Sequence, residues 1–188
     1  NDDKAAQKSR QAENFKRILH TLTDDVRVVL IKLADRLHNC RTIEFMPEHK
    51  RDKILSETMF IFIPLAHRLG LYSIKSEMED IWLRYKEPEA FNDITEKINR
   101  NISDKDKEID EFMAPIDVAL KKAGFRFEIK KRVKTPYSIW KKMINKGVSF
   151  DQIYDLYAVR IIFEPDPESK ETERDQCYHV FSIITSLY

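Results

Sequence analysis

At Gly124 the spacing of apolar residues changes from helical to alternating, and this change divides the chain into two kinds of structure. Upstream, apolar residues recur every three or four positions; downstream, Phe125, Phe127 and Ile129 alternate with Arg126, Glu128 and Lys130, as in a half-buried strand. The chain has only 3 glycines, Gly70, Gly124 and Gly147, each after a helix-like run, where a left-handed C-terminal residue is wanted. That scarcity excludes a glycine-rich phosphate loop within these residues, so a nucleotide must be held by side chains and helix ends.

The first half is expected to be a helical bundle. Asp24 and Asp25 supply an acidic helix start, and Val26, Val29, Leu30, Leu33, Leu37 and Cys40 form an apolar stripe. A second helix runs from about Lys50, with Pro64 kinking or dividing it before Ala66-His67-Arg68-Leu69-Gly70. A third starts near Ser73, whose hydroxyl is placed to cap it, and ends before Pro88. Phe91, Ile94, Ile98 and Ile102, then Ile109, Phe112, Met113, Ile116 and Leu120, continue a seam expected to break near Ser103-Asp104 and bend at Pro115.

Beyond the first strand, Pro136 opens a helix carrying Tyr137, Ile139, Trp140 and Met143, and Gly147 closes it. Tyr157 to Phe163 is nearly apolar throughout, as a central strand covered on both faces would be. Asp175 to Tyr188 forms a last helix with Val180, Ile183, Ile184 and Leu187 packed inward.

With 188 residues the chain can hold one domain or parts of two, and 42% hydrophobic with 35% charged residues exceeds what a disordered segment carries. The longest apolar run, Phe60 to Ala66, is interrupted by Pro64 and too short to span a bilayer. Neither an initiator Met nor a secretory leader precedes Asn1-Asp2-Asp3-Lys4, and the sequence stops in an apolar stretch at Leu187-Tyr188, so both ends are expected to be cut. Cys40 and Cys177 are too few for a disulfide framework and suit ordinary buried thiols in a reducing cytoplasm. Net charge is +1, yet Lys121 to Lys146 holds ten Lys or Arg against the single acid Glu128, between two acidic stretches. This points to an anionic ligand, although a solvated face is the commoner meaning of a charge run.

Two constellations carry chemistry. Asp35, Asn39 and Thr42, at i, i+4 and i+7, share one helix face able to hold a metal and a polar ligand. A single helical Asp is commonly solvated or paired with a neighbour such as Arg36, and a metal needs several ligands. His38 points elsewhere, as a core or surface histidine. The second constellation is Arg132-Val133-Lys134-Thr135-Pro136-Tyr137-Ser138-Ile139-Trp140-Lys141-Lys142, followed by Asp155 and Arg160. Arg132 and Lys134 at a strand end, Ser138 in a helix's first turn and Lys142 one turn on can converge on a polyphosphate. Asp155, at the entrance of the next strand, can hold the magnesium that bridges such phosphates.

The string Leu33-Ala34-Asp35-Arg36-Leu37-His38-Asn39-Cys40-Arg41-Thr42 resembles the LADRLHNMRT segment of the RelA/SpoT family, and Gln11 to Phe15 and Pro64 to Gly70 also fit. The run from Arg132 to Lys142, continued by Asp155-Leu156-Tyr157-Ala158-Val159-Arg160 and Cys177-Tyr178-His179-Val180, resembles that family's synthetase signature. Thr135 and Pro136 depart from the His-Ile of several relatives.

The resemblance implies a mostly helical α+β fold. An all-α HD-type hydrolase part (1–70) is followed, over 71–188, by linking helices and the start of a nucleotidyltransferase-like α/β synthetase domain. It implies alarmone metabolism in the stringent response: Mn²⁺-dependent removal of the 3′-pyrophosphate of ppGpp, and Mg²⁺-dependent transfer of the β,γ-pyrophosphate of ATP to the 3′-hydroxyl of GDP or GTP. By resemblance, Asp35 is the last hydrolase metal ligand, and Asn39 and Thr42 contact the guanosine nucleotide. Likewise Arg132 and Arg160 sandwich adenine, Lys134, Ser138 and Lys142 hold the ATP phosphates, and Asp155 binds magnesium. The family's other hydrolase ligands would precede Asn1, and its second synthetase carboxylate and guanine-stacking Tyr would follow Tyr188. These residues alone are therefore expected to catalyse neither reaction. A cytoplasmic location with no membrane contact is expected, and any ribosome association would use parts outside these residues. The competing reading is a basic nucleic-acid-binding module with a helical bundle, in which Phe125, Phe127, Tyr137 and Trp140 stack bases.

Overall fold

The computed structural model describes residues 26–188, with residues 101–104 described by backbone alone. Two compact units divide after Asn92, the short segment Thr135–Tyr137 belonging to the first. The architecture is α+β and mostly helical.

The first unit packs α1 (Val26–Arg41), α2 (Glu48–Glu57), α3 (Ile63–Arg68) and α4 (Tyr72–Lys86) around one core. Val29, Leu33, Leu37 and Cys40 form the buried seam of α1, against Leu55, Ile61, Leu65 and Met78. Val26 and Leu30, expected in that stripe, are 51% and 43% exposed, because the i, i+4, i+8 row through Val29 takes the core-facing position. The expected start at Asp24-Asp25 and the segment Gln11 to Phe15 lie outside the described residues.

Pro64 does divide the second helix, through a wide turn over Thr58–Phe62. The amide of Ile63 donates to the carbonyl of Thr58, five residues back, just ahead of a proline that has no amide to give. Gly70 ends α3 at φ 71°, and α4 then begins at Tyr72 with no side-chain cap. Ser73 therefore sits inside the first turn and, contrary to the expectation from the sequence, does not cap it.

α5 (Pro88–Lys122), most of which belongs to the second unit, is one helix of 35 residues that includes Pro115; the expected break near Ser103-Asp104 does not occur. β1 (Arg126–Val133) pairs antiparallel with β2 (Tyr157–Glu164), with Arg126 opposite Glu164 and Val133 opposite Tyr157. Between them lie α6 (Pro136–Lys146), which Pro136 opens as expected, Gly147 at φ 63°, and a short turn at Phe150–Gln152. α7 (Glu173–Thr185) follows, capped by reciprocal bonds between Thr172 and Asp175. It starts two residues before the expected Asp175, and Leu187 beyond it is 38% exposed instead of buried.

One sheet face is apolar: Phe127, Ile129, Ile161 and Phe163 pack with Ile116 and Leu120 of α5 and Val180 of α7. Lys131, on the same face, bonds to Asp110 (2.8 Å) and Asp106 (3.4 Å) of α5, tying β1 to that helix. The other face carries Arg126, Glu128, Lys130, Arg132, Ala158, Arg160, Ile162 and Glu164, all exposed. Among the described residues β2 is thus covered on one face only, contrary to the expectation from its apolar run: Ala158 and Ile162 fall in the exposed register, Ile162 at 43%. A smaller core joins Ile94 and Ile98 of α5 to Ile139, Phe150 and Ile153. Cys40 is buried, but Cys177 is exposed, so only one of the two thiols is a core residue.

Leu33→Ala should cost about 3 kcal/mol through lost burial and a residual cavity. Ile31→Ala, at a position of the same helix that is 69% exposed, should stay within about 0.5 kcal/mol. Urea denaturation of both variants checks the assignment of the buried face.

Candidate functional site

Asp155 lies in the loop between the Phe150–Gln152 turn and β2. Lys134, just past β1, donates its amide to the carbonyl of Leu156 at 2.8 Å, which pins the two strand ends together. Its Nζ reaches Asp155 Oδ2 at 2.7 Å, and Lys142 Nζ, from the second turn of α6, reaches Oδ1 at 2.5 Å. Hydrogen bonds from Lys134 and then Lys142 hold the Asp155 carboxyl well below the usual carboxylate range. Two ammonium groups on one carboxylate leave a surplus positive charge. Ser138, four residues before Lys142, lies on the same side of α6 and is half-buried.

A cleft of about 260 Å³ opens beside this cluster, lined by Arg132, Lys134, Asp155, Leu156, Tyr157 and Ala158. Arg132 stands opposite Ala158 and Lys130 opposite Arg160, so Arg132 and Arg160 are diagonal neighbours on the exposed sheet face. Neither guanidinium is hydrogen-bonded or ion-paired to another described residue. Lys130 is bonded to Glu128 at 2.9 Å. Like charges directly across a ladder, as Lys130 and Arg160 are, are unfavourable, and neither Arg132 nor Arg160 has an ion-pair partner on the sheet. The second predicted constellation is therefore brought onto one side of the sheet, with Arg132 lining the cleft, Arg160 at the next position of the exposed face, and the lysines on Asp155.

The first constellation shares a helix face as its spacing requires. Asn39 Nδ2 donates to Asp35 Oδ2 at 3.0 Å, while Thr42 Oγ1 donates to the carbonyl of His38 at 2.9 Å. Asp35 and His38 are exposed. Arg36 is not the partner of Asp35: it bonds to Glu57 at 2.7 Å, with its guanidinium 4.3 Å above the Phe62 ring. Among the described residues no set of three or more His, Cys, Asp or Glu side chains could hold a metal ion.

Asp80 gave no signal in the sequence, because an acid within a helix has the pattern of a solvated one. Its Oδ1 accepts the amide of Tyr137 at 2.9 Å, and the Tyr137 ring sits edge-on to Trp82. Burial pushes the Asp80 carboxyl up to about 6, against the lowering effect of that amide. It lines a pocket of about 480 Å³ with Cys40, Arg41, Glu77 and Arg84.

A helical unit is followed by a strand-helix-strand unit with a lysine-bound carboxylate, and the comparisons with known proteins give the class. A family model described as "HD domain" matches residues 1–72, and one described as "Region found in RelA / SpoT proteins" matches residues 131–188. A GTP pyrophosphokinase of Myxococcus xanthus is 38% identical over 97% of this chain and 23% of its own length. A guanosine-3′,5′-bis(diphosphate) 3′-pyrophosphohydrolase of Aquifex aeolicus is 40% identical over 96% of this chain and 25% of its own length. GTP pyrophosphokinase rsh of Brucella melitensis is 35% identical over 99% of the chain and 24% of its own length. The chain belongs to the RelA/SpoT family. It spans about a quarter of the length of the curated relatives it matches.

The Asp80 carboxyl binds its proton more tightly in the folded chain, about 6 against an ordinary 3.8, so keeping it ionised costs stability above pH 6. Asp80→Asn, which keeps an oxygen for the Tyr137 amide, should therefore stabilise the chain at pH 7.5, with the gain shrinking through pH 6 and vanishing below about 4. Thermal unfolding of both proteins across pH 4 to 8 measures this; a gain that is independent of pH contradicts it.

Proposed function

We propose that this chain is part of an enzyme of guanosine tetra- and pentaphosphate metabolism, and that the Asp155 cluster is the ATP side of its pyrophosphate-transfer site. Residues 1–70 are then the C-terminal part of the hydrolase domain, and residues 71–188 the linking helices and the start of the synthetase domain. The observation that carries this reading is the convergence of Lys134 and Lys142 on Asp155, beside two unpaired arginines on one sheet face.

Diagonal positions on a sheet face lie roughly 7–8 Å apart, a spacing that admits one flat base between two guanidinium planes. Arg132 and Arg160 would hold the adenine in this way, and Lys134, Ser138 and Lys142 the phosphates. Asp155 fits as one carboxylate ligand of Mg²⁺, since both its oxygens are held only by surface ammonium groups that a polyphosphate would draw away. When bound, the metal neutralises charge on the transferred group; the residues here orient the nucleotide. The acceptor is the 3′-hydroxyl of GDP or GTP. On the hydrolase side, Asp35 fits as a single ligand of Mn²⁺, with Asn39 orienting its carboxylate and Thr42 near the nucleotide. The names of the Myxococcus and Aquifex relatives, one a kinase and one a hydrolase, support both halves of this reading. Among the described residues no helix is long and apolar enough to cross a membrane, and we place the enzyme in the cytoplasm, where its nucleotides are.

The nucleic-acid reading loses its stacking platform. Phe125 and Phe127 pack into the sheet core, Tyr137 is buried, and Trp140 packs beside Ile139.

Calorimetry with magnesium-ATP on this chain tests the site: Arg132→Ala should weaken binding about ten-fold. Unchanged ATP binding in that variant, or salt-steep oligonucleotide binding that ignores ATP, overturns the reading. In a full-length RelA/SpoT enzyme containing these residues, Asp155→Ala should lower synthesis by orders of magnitude and spare hydrolysis. Asp35→Ala should do the reverse.

A further inference from the structure

We infer that Glu128 and Lys130 read the edge of the donor's base and make this site select a 6-amino purine over a 6-oxo purine. This deepens the ATP assignment above and rests on it.

The direction along the sheet decides what each residue can touch. The cleft at Lys134 and Asp155 lies at one end of β1, and the face then presents Arg132 with Ala158, next Lys130 with Arg160, then Glu128 with Ile162. Successive same-face positions are about 7 Å apart along a strand. With phosphates at the cleft and the base between Arg132 and Arg160, the edge of the base farthest from the sugar faces Lys130 and Glu128. Both side chains are exposed on that face, at 53% and 62%, and their 2.9 Å bond draws the carboxylate back toward the base.

The order of the two charges matters. Adenine presents a donor at its 6-amino group and an acceptor at N1; hypoxanthine and guanine present the reverse, a 6-oxo acceptor and an N1–H donor. The carboxylate, which only accepts, is the outer group and meets the 6-position; the ammonium, which only donates, is nearer and meets N1. Adenine satisfies both. A 6-oxo purine sets its oxygen against Glu128 and its N1–H against Lys130. Pairing of Glu128 with Lys130 alone, as an exposed ion pair, contributes little to stability and would leave the base choice untouched.

The test is calorimetric affinity of this chain for magnesium-ATP and for magnesium-ITP, which differ only at that edge. The wild type should prefer ATP. Glu128→Ala should lower the ATP-to-ITP preference about ten-fold, the worth of one hydrogen bond to a charged group. Glu128→Gln, able to turn its amide nitrogen toward a 6-oxo group, should raise ITP affinity, which a purely structural glutamate would not do. Lys130→Met should reduce the preference as well. If Arg132→Ala weakens ATP but the Glu128 and Lys130 variants keep the wild-type ratio, this inference fails while the ATP site stands. If Arg132→Ala leaves ATP unaffected, the site assignment itself fails, and this inference with it.

Discussion

The antiparallel register of β1 and β2 is the constraint on which the second unit depends. Side chains alternate with a period of two, so a slip of β1 by one residue would put Phe127 and Ile129 in water and turn Arg132 toward the core. Two features hold the register: the apolar face against Ile116, Leu120 and Val180, and Lys131 bonded to Asp106 and Asp110. Lys131 thus belongs to the basic block by sequence and to the scaffold by structure. Its fixation is what aims its neighbours Lys130 and Arg132 outward.

The lysines on Asp155 follow a different logic. Both partners are partly exposed, and surface pairs of this kind contribute little to stability, so their arrangement is easily exchanged. Ion pairs at the surface hold Lys134 and Lys142 within reach of one point without committing them to it. On the proposed reading, a polyphosphate finds two donors already converged, which lowers the ordering cost of binding.

Much of this was legible in the sequence, and the misses have physical causes. Alternation identified the inner face of β1 because Phe127 and Ile129 are flanked by charges. It misled at β2, where Ala158 and Ile162 are apolar yet exposed, since hydrophobicity does not say whether a second layer is present. Pro64 announced an interruption, but a missing amide fits a kink, a break or a widened turn equally, and the local pattern alone does not choose the last. Asp35, Asn39 and Thr42 could be placed on one face from helix geometry alone. The Arg36–Glu57 and Asp80–Tyr137 contacts could not, because their partners are 21 and 57 residues apart and no local pattern couples them.

On the proposed reading the start of α6 faces the phosphates, and its surroundings show why lysines would carry the charge. A helix start ordinarily offers several unpaired amides to an anion. Here Pro136 has none, and the Tyr137 amide is already given to Asp80. The donors ahead of Ser138 are therefore spent before any ligand arrives, and with only 3 glycines, none between Gly124 and Gly147, no loop supplies others. On that reading, affinity for a phosphate chain comes chiefly from Lys134 and Lys142, with Ser138 adding direction. A lysine is a mobile point charge, suited to phosphates of changing position, whereas the planar guanidiniums of Arg132 and Arg160, rooted on a sheet face, would suit the flat base. The division of labour between the two kinds of cation follows from the elements that bear them.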